Sequence, residues 1–373
     1  MEYRTLGRTG LEVSRLGFGA MRPPTLEGGE WDSDLFIKCM HRAFDLGVNL
    51  FDTAAVYGHG KSEEHVGKAL KDRRDEVVVS TKVPLGWGEP KTPTEWRETL
   101  DRTLKCLGFP PDILYFHDQK EHTFQQAHWD EIVGLAKKAV ERGDARFLGV
   151  STHESVANAK RFLDTGLFDV VLVQHHMMNL TYGEVLDHAK SLGLGTVAMG
   201  PVAGGMLAQD SDILAGMRPE GVESNAEMAL RFALSHPSLD SALSGMNSIH
   251  MVEENAKAAA RHPTFTDEER EKLLAAIKDR LAYGEKVCTQ CGYCSGCPEK
   301  IDIKRVFGAL MQKKVWGLEK RARRQYRRLI EKEESAPASA CVECGECEPK
   351  CPQKIPIREQ MKEAAALFDA EGA

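Results

Sequence analysis

The sequence has no apolar run long enough to span a membrane, and its opening residues, Met1-Glu-Tyr-Arg-Thr-Leu-Gly, lack the apolar core of a secretion signal. Basic charge is not in excess either. The formal net charge is −7, which argues against nucleic acid as a partner. Cysteine is almost missing from the first 287 residues, where only Cys39 and Cys106 occur, both inside helix-like stretches that make them packing residues. No G-x-G-x-x-G follows the first strand-like run, and no flavin motif is recognisable. The expectation is a protein of the cytoplasm with no membrane and no nucleic-acid partner.

The other eight cysteines fall in two tight runs. The first is Cys288-Thr-Gln-Cys291-Gly-Tyr-Cys294-Ser-Gly-Cys297-Pro298. The second is Cys341-Val-Glu-Cys344-Gly-Glu-Cys347-Glu-Pro-Lys-Cys351-Pro352. The second has the C-x2-C-x2-C-x3-C-P spacing of bacterial ferredoxins, whose fourth cysteine ligates the other cluster of a pair. The first is one residue shorter before its last cysteine. Eight thiolates in two quartets match two 4Fe-4S clusters with none left over. Zinc is the rival ligand, because C-x2-C pairs also build tetrahedral sites, although structural zinc usually separates its two pairs by a longer loop. A disulfide framework needs an oxidising compartment that nothing else here implies, and exposed clusters need a reducing one.

The runs end in matching tails, Pro298-Glu-Lys-Ile301-Asp-Ile303 and Pro352-Gln-Lys-Ile355-Pro-Ile357, so they form an internal repeat. A ferredoxin-like unit with pseudo-twofold halves follows. Large apolar side chains are sparse from 285 onward, so cluster binding is expected to supply much of that unit's folding free energy.

With 373 residues, 42% hydrophobic and 28% charged, the chain can bury a large core and form two domains. Composition shifts near residue 280. Before it, short β-branched runs at 15–19, 48–53, 77–83, 113–117, 147–152, 170–174, 195–200 and 242–246 alternate with amphipathic stretches such as 63–71 and 131–142. Strict strand–helix alternation implies a parallel sheet. Eight strands in about 250 residues fit a (β/α)8 TIM barrel, with a doubly wound open sheet as the alternative. The expected division is a barrel over 1–280 and a ferredoxin-like iron-sulfur domain over 281–373, with a helical insert at 302–334. Residues 313–328 form a basic stretch of helical spacing: either a solvated helix joining the two cysteine motifs or a docking face for an acidic redox partner.

Three successive strands end in ionisable residues: Asp52, Lys82 and His117. Tyr57 follows in the loop after the second strand. Barrel enzymes build active sites at this C-terminal rim, and three such residues in a row point to catalysis rather than to satisfied strand ends.

These residues carry a family resemblance. The opening through Ser14-Arg-Leu-Gly17-Phe-Gly19, the run Phe51-Asp52-Thr53-Ala-Ala-Val-Tyr57-Gly58, and Ser80-Thr81-Lys82 and Leu114-Tyr-Phe-His117 resemble the aldo-keto reductases over residues 1 to about 260. With the cysteine repeat, the whole chain resembles that family's ferredoxin-extended branch. The resemblance implies reduction of a small-molecule carbonyl by a nicotinamide hydride. It implies that Tyr57 is the proton donor, that Lys82 lowers its pKa, that Asp52 holds Lys82, and that His117 orients the carbonyl oxygen.

For the cofactor, NAD(P)H, the resemblance implies that Ser151 and Gln174 hold the carboxamide. Thr152 stands where the family has asparagine. Gly200, Pro201, Gly204 and Gly205 resemble the loop over the pyrophosphate, and Met199 replaces the usual stacking aromatic. Gly245, Asn247, Glu254 and Asn255 fall in the adenosine-phosphate segment. The cations expected there are Gly245 and Met251 instead, so NADH is at least as well suited as NADPH.

Two further readings remain open at this level. One is a ferredoxin-coupled reductase, whose one-electron clusters need a flavin or a partner as converter. The other is a non-catalytic redox sensor on a barrel scaffold, against which the intact Asp52, Tyr57, Lys82 and His117 set argues. Trp87, His175 and His176 either wall a substrate pocket or pack loops.

Overall fold

Eight short parallel strands close on themselves in this computed structural model, which describes residues 1–85, 92–122, 128–261, 265–288 and 290–369. They are β3 (Leu16–Gly19), β4 (Leu50–Asp52), β5 (Val78–Pro84), β6 (Ile113–His117), β7 (Phe147–Ser151), β8 (Val170–Gln174), β9 (Gly195–Met199) and β10 (Ser241–Ser244). Each pairs with its sequence neighbour, and β10 returns to β3 with Ala242 opposite Leu16. The closing pair excludes the doubly wound sheet. Central strand residues are buried on both faces, as strands between a filled interior and a helical coat must be.

A hairpin of β1 (Tyr3–Thr5) and β2 (Glu12–Ser14) precedes the barrel. Its Leu6, Leu11 and Val13 join Leu50, Val78, Ile113, Val170, Val197 and Leu243 in one buried cluster. Only glycine fits at position 7: φ is +48°, and a Cβ would stand 2.2 Å from the Gly195 nitrogen.

The outer core packs strands against α1 (Ser33–Asp45), α2 (Lys61–Leu70), α3 (Pro93–Leu107), α4 (Trp129–Glu141), α5 (Val156–Asp164), α6 (Gly183–Ser191), α8 (Asn225–Leu234) and α9 (Ile249–Ala259). Local sequence explains the boundaries. At α3, Thr92 and Glu95 form a reciprocal capping box, Pro93 opens the first turn, and Gly108 ends the helix in a left-handed conformation. Cys39 lies buried in α1 and Cys106 half-buried in α3.

The barrel unit comprises Met1–Gly205 and Ala226–Thr266. A second unit comprises Met206–Asn225 and Asp267–Ala373, so a segment from the middle of the barrel sequence belongs with the C-terminal part. That segment carries α7 (Asp212–Met217). Ser211 caps α7 at the Leu214 nitrogen (3.1 Å) and donates its hydroxyl to the Trp316 carbonyl (2.6 Å). Residue 280 lies inside α10 (Asp267–Val287).

The second unit continues with α11 (Ile303–Trp316), α12 (Glu319–Glu331) and α13 (Ile357–Phe368). The single helix expected over 313–328 is two, because Gly317 at φ +67° ends α11 and turns the chain. Sparse apolar residues still make a core: Ile301, Val306, Phe307, Leu310, Trp316, Tyr326, Leu329, Ile357 and Met361 are all buried. Tyr326 stacks on Phe368 with ring centroids 4.8 Å apart. Among the described residues, no helix is long and apolar enough to cross a membrane.

Candidate active site and cysteine cavities

Asp52 ends β4, Lys82 sits in β5 and His117 ends β6, so parallel register carries all three to one end of adjacent staves. Asp52 lies opposite Ser80, and Lys82 opposite Tyr115. Tyr57 is brought back over them by a tight turn in which Gly58 and His59 both have positive φ. A Cβ at Gly58 would stand 2.1 Å from the Trp31 ring, so this turn also requires glycine.

Lys82 is 2% exposed. Its ammonium donates to an Asp52 carboxylate oxygen and to the Thr53 carbonyl (2.7 Å), and lies 4.9 Å from the Tyr57 ring centroid. Ser80 donates to the other Asp52 oxygen (2.7 Å). The His117 ring meets Tyr57 edge-on, with centroids 5.8 Å apart and planes at 82°. All four predicted tetrad residues therefore converge.

The electrostatics of this cluster follow from burial. Burial opposes the Lys82 charge, but Asp52 and Tyr57 outweigh it and raise its pKa, keeping the ammonium charged. Burial pushes the Asp52 carboxyl up, against the pull of Lys82 and Ser80. The Tyr57 phenol was expected to be lowered by Lys82. It is raised instead, because burial outweighs the ammonium's attraction, and Tyr57 stays a protonated phenol. Burial, then Lys82 and His153, depress His117 to about 3, leaving a neutral imidazole at ordinary pH.

The residues matched to cofactor contacts are less uniform. Gln174 and Met199 end β8 and β9 and are half-buried, and Gly200 begins the following loop at φ +64°. That loop turns back where the Ala203 nitrogen donates to the Gly200 carbonyl (2.7 Å), with Pro201 between them and Gly204 and Gly205 in left-handed conformations. The hydroxyls of Ser151 and Thr152 are engaged elsewhere: Ser151 accepts from the Asp118 nitrogen (2.9 Å), and Thr152 donates to the Gln119 carbonyl (2.8 Å). Asn255 is buried and donates to Ser244 (3.1 Å), which ties α9 to β10. Asn247 is exposed and Glu254 half-buried.

Two residues escaped the sequence reading. Arg22, in the loop after β3, donates to the Gly204 carbonyl (2.9 Å), and its side chain runs beside Gly245. One cation thus spans the two glycine loops that follow the seventh and eighth staves, the place where barrels often bind phosphate. Glu63 of α2 is fully buried and accepts from Thr81 (2.6 Å) and Thr103 (3.3 Å). Burial raises its pKa. It opens the amphipathic stretch 63–71, but nothing local marked it as buried.

His175 is a packing residue, stacked at 5.9 Å on Phe232 and edge-on at 4.9 Å to His236. His176 accepts from the Met178 nitrogen (3.2 Å), and burial lowers it to about 4. Trp87 lies outside the described residues.

In the second unit, the cysteines line two cavities. One has Cys297, Cys341, Cys344 and Cys347 in its wall. The other has Cys288, Cys291 and Cys351. Cys294 borders both. The last cysteine of each run therefore stands with the early cysteines of the other, the exchange expected of paired 4Fe-4S clusters. Among the described residues, no three His, Cys, Asp or Glu side chains close on a single metal ion. Thiols spread around a cavity wall fit a cluster better than one zinc ion.

A closed barrel with an ionisable cluster at its C-terminal rim is the layout of a TIM-barrel enzyme. The chain belongs to the aldo/keto reductase family, whose profile matches residues 15–278, and a 4Fe-4S dicluster domain profile matches residues 287–356. It is an oxidoreductase of that family with a C-terminal 4Fe-4S dicluster domain. L-galactose dehydrogenase of Arabidopsis thaliana is 28% identical over 309 residues, 75% of this chain and 96% of the relative. The holo form of aldo-keto reductase AKR11C1 from Bacillus halodurans superposes with a TM-score of 0.65 at 26% identity, over 74% of this chain and 96% of that one. An aldo/keto reductase from Klebsiella pneumoniae, solved with NADP and acetate, shares the fold at a TM-score of 0.60 and 23% identity, over 73% of this chain and 93% of that one.

Proposed function

We propose that the protein reduces an aldehyde or ketone to an alcohol with NAD(P)H. The bound nicotinamide supplies the hydride. Tyr57 gives its phenolic proton to the oxygen as negative charge develops there. Lys82 stabilises the phenolate left behind, and Asp52 holds Lys82 in place. Neutral His117 donates an N–H to the carbonyl oxygen, a role worth about 2–4 kcal/mol in comparable sites. The observation that carries this reading is the buried Lys82 ammonium, bonded to Asp52 and lying 4.9 Å from the Tyr57 ring.

Gln174, Met199, Gly200, Pro201, Gly204 and Gly205 would flank the nicotinamide and pyrophosphate. Ser151 and Thr152 would complete the carboxamide end, and Gly245, Asn247, Glu254 and Asn255 the adenosine end. Arg22 places a cation beside the pyrophosphate loop, whereas Gly245 and Met251 place none at the adenosine end, so NADH serves at least as well as NADPH. No flavin is assigned. The eight cysteines would hold two 4Fe-4S clusters, which supply one-electron transfer and suit the reducing cytoplasm. Carbonyl chemistry is assigned to 1–280 and electron transfer to 281–373.

The test is anaerobic turnover of an aldehyde panel, including L-galactose and aldose phosphates, with NADH and NADPH. Tyr57→Phe should lower kcat by about 10²–10⁴ while leaving cofactor binding intact. Wild-type turnover in that variant removes the proton-donor role. Turnover driven by cluster reduction but not by nicotinamide favours the ferredoxin-coupled reading instead.

A further inference from the structure

Helix α12 is more basic than anything else in the second unit. It carries six cationic side chains against Glu319 and Glu331. Arg323 is held by Glu319 (3.0 Å). Lys320, Arg324, Arg327 and Arg328 are exposed, and among the described residues none of them has an ion-pair partner. Their spacing of 4, 7 and 8 residues from Lys320 puts all four on one helix face. The opposite face is committed to the core, where Ala322, Tyr326 and Leu329 are buried.

This helix is linked to both cysteine runs through one intervening residue. The Tyr326 hydroxyl accepts from the Ala338 nitrogen (2.6 Å), and the Ala338 carbonyl in turn accepts from the Cys341 nitrogen (3.1 Å). On the other side, Gln325 lies against Gly308 of α11 beside Gln290. The Gln290 backbone N–H donates to the Cys288 sulfur (3.2 Å). An α-helix with its side chains is about 10–12 Å across, so a protein resting on the outer face of α12 is separated from both cysteine runs by roughly one helix.

We propose that the Lys320, Arg324, Arg327 and Arg328 face is the docking surface for a small acidic iron-sulfur electron carrier that exchanges single electrons with the cysteine-held clusters. The proposal rests on the reading that the cysteine quartets hold 4Fe-4S clusters. Each encounter moves one electron: the carrier's iron is oxidised by one and a cluster is reduced by one, with no atom transferred. Charge complementarity selects the partner. A chain of net charge −7 repels acidic proteins in general, and this patch is where an acidic surface is attracted. An anionic membrane is disfavoured because the apolar face of α12 is already buried, leaving nothing to insert. Single-stranded RNA is disfavoured because the stripe has no exposed aromatic on which bases could stack.

The test uses the full chain with its clusters in place. Pre-reduced acidic 2Fe-2S ferredoxin is mixed with oxidised protein, and cluster bleaching is followed by stopped flow at low and high salt. In wild type the rate should fall steeply with salt. Combined K320E, R324E, R327E and R328E should slow it at least tenfold at low salt and abolish the salt dependence, with the four glutamine substitutions in between. Photoreduced 5-deazariboflavin, a small uncharged reductant, should reduce all variants equally and so report intact clusters and fold. Equal ferredoxin rates in wild type and variants overturn the proposal. So does retention by phosphatidylserine vesicles or RNA with ferredoxin reduction unaffected. Absence of any deazaflavin-reducible chromophore removes the cluster reading itself, and the proposal with it. None of these readouts depends on carbonyl turnover.

Discussion

Thr81 donates a 2.6 Å hydrogen bond to the buried carboxyl of Glu63, while the next residue, Lys82, donates to Asp52. Adjacent strand residues point to opposite faces, so one strand is anchored by a carboxyl behind the barrel wall and by another at the rim. Glu63→Ala leaves the Thr81 and Thr103 hydroxyls buried without their acceptor. It should destabilise the barrel by about 2–6 kcal/mol, because each of the two orphaned buried hydroxyls costs about 1–3 kcal/mol. Urea unfolding measures this. Because burial already favours the protonated form of Glu63, Glu63→Gln should cost much less; equal losses for Ala and Gln would contradict the anchoring role.

Acid sensitivity should trace to buried histidines. His117 is depressed to about 3 and His176 to about 4, against the ordinary imidazole value of 6.5. Above 6.5 neither folded nor unfolded chain protonates them. Between 6.5 and about 3, the unfolded chain binds protons that the folded one refuses, so their contribution makes stability fall as pH falls. Thermal midpoints recorded across that window should slope less steeply in His176→Asn than in wild type. An unchanged slope would show that His176 protonates while folded.

Arg22→Ala should raise the KM for NAD(P)H about tenfold, the equivalent of about 1.4 kcal/mol, with kcat little changed. Arg22→Lys should recover only part of the loss, since a lysine ammonium cannot reproduce the planar guanidinium that bonds the Gly204 carbonyl. Steady-state kinetics at saturating carbonyl separates the two constants. A fall in kcat at constant KM would move Arg22 from binding to chemistry.

Cys291→Ser or Cys344→Ser should lower bound iron and expose the second unit to protease, while barrel circular dichroism survives. Cys351→Ser should act like Cys291→Ser rather than like Cys344→Ser, because Cys351 and Cys291 line the same cavity. Iron analysis with EPR of the reduced protein distinguishes the two patterns. Loss of the Cys341 and Cys344 cluster alone in Cys351→Ser would mean that the runs do not exchange their last cysteines.

The barrel was legible because each stave is a short β-branched run bounded by amphipathic helix. All eight fall within two residues of their expected limits at either end. The tetrad was legible because three consecutive strand-like runs carry Asp52, Lys82 and His117 at or near their ends. Arg22 was not, because its partners Gly204 and Gly245 meet it only after the barrel closes. The exchange of residues 206–225 into the second unit was hidden for the same reason: Ser211 reads as a local helix cap, and its bond to Trp316 is long-range. The direction of the Tyr57 shift depended on how deeply the phenol is buried, which spacing does not encode.

The shared cavities set an order on the protein's own synthesis. One wall is finished by Cys297, made early, and the other by Cys351, made last. On the cluster reading, the first cysteine run therefore leaves the ribosome unable to complete its own site. It must wait, as open thiols, until the second run and the helices between them have been made.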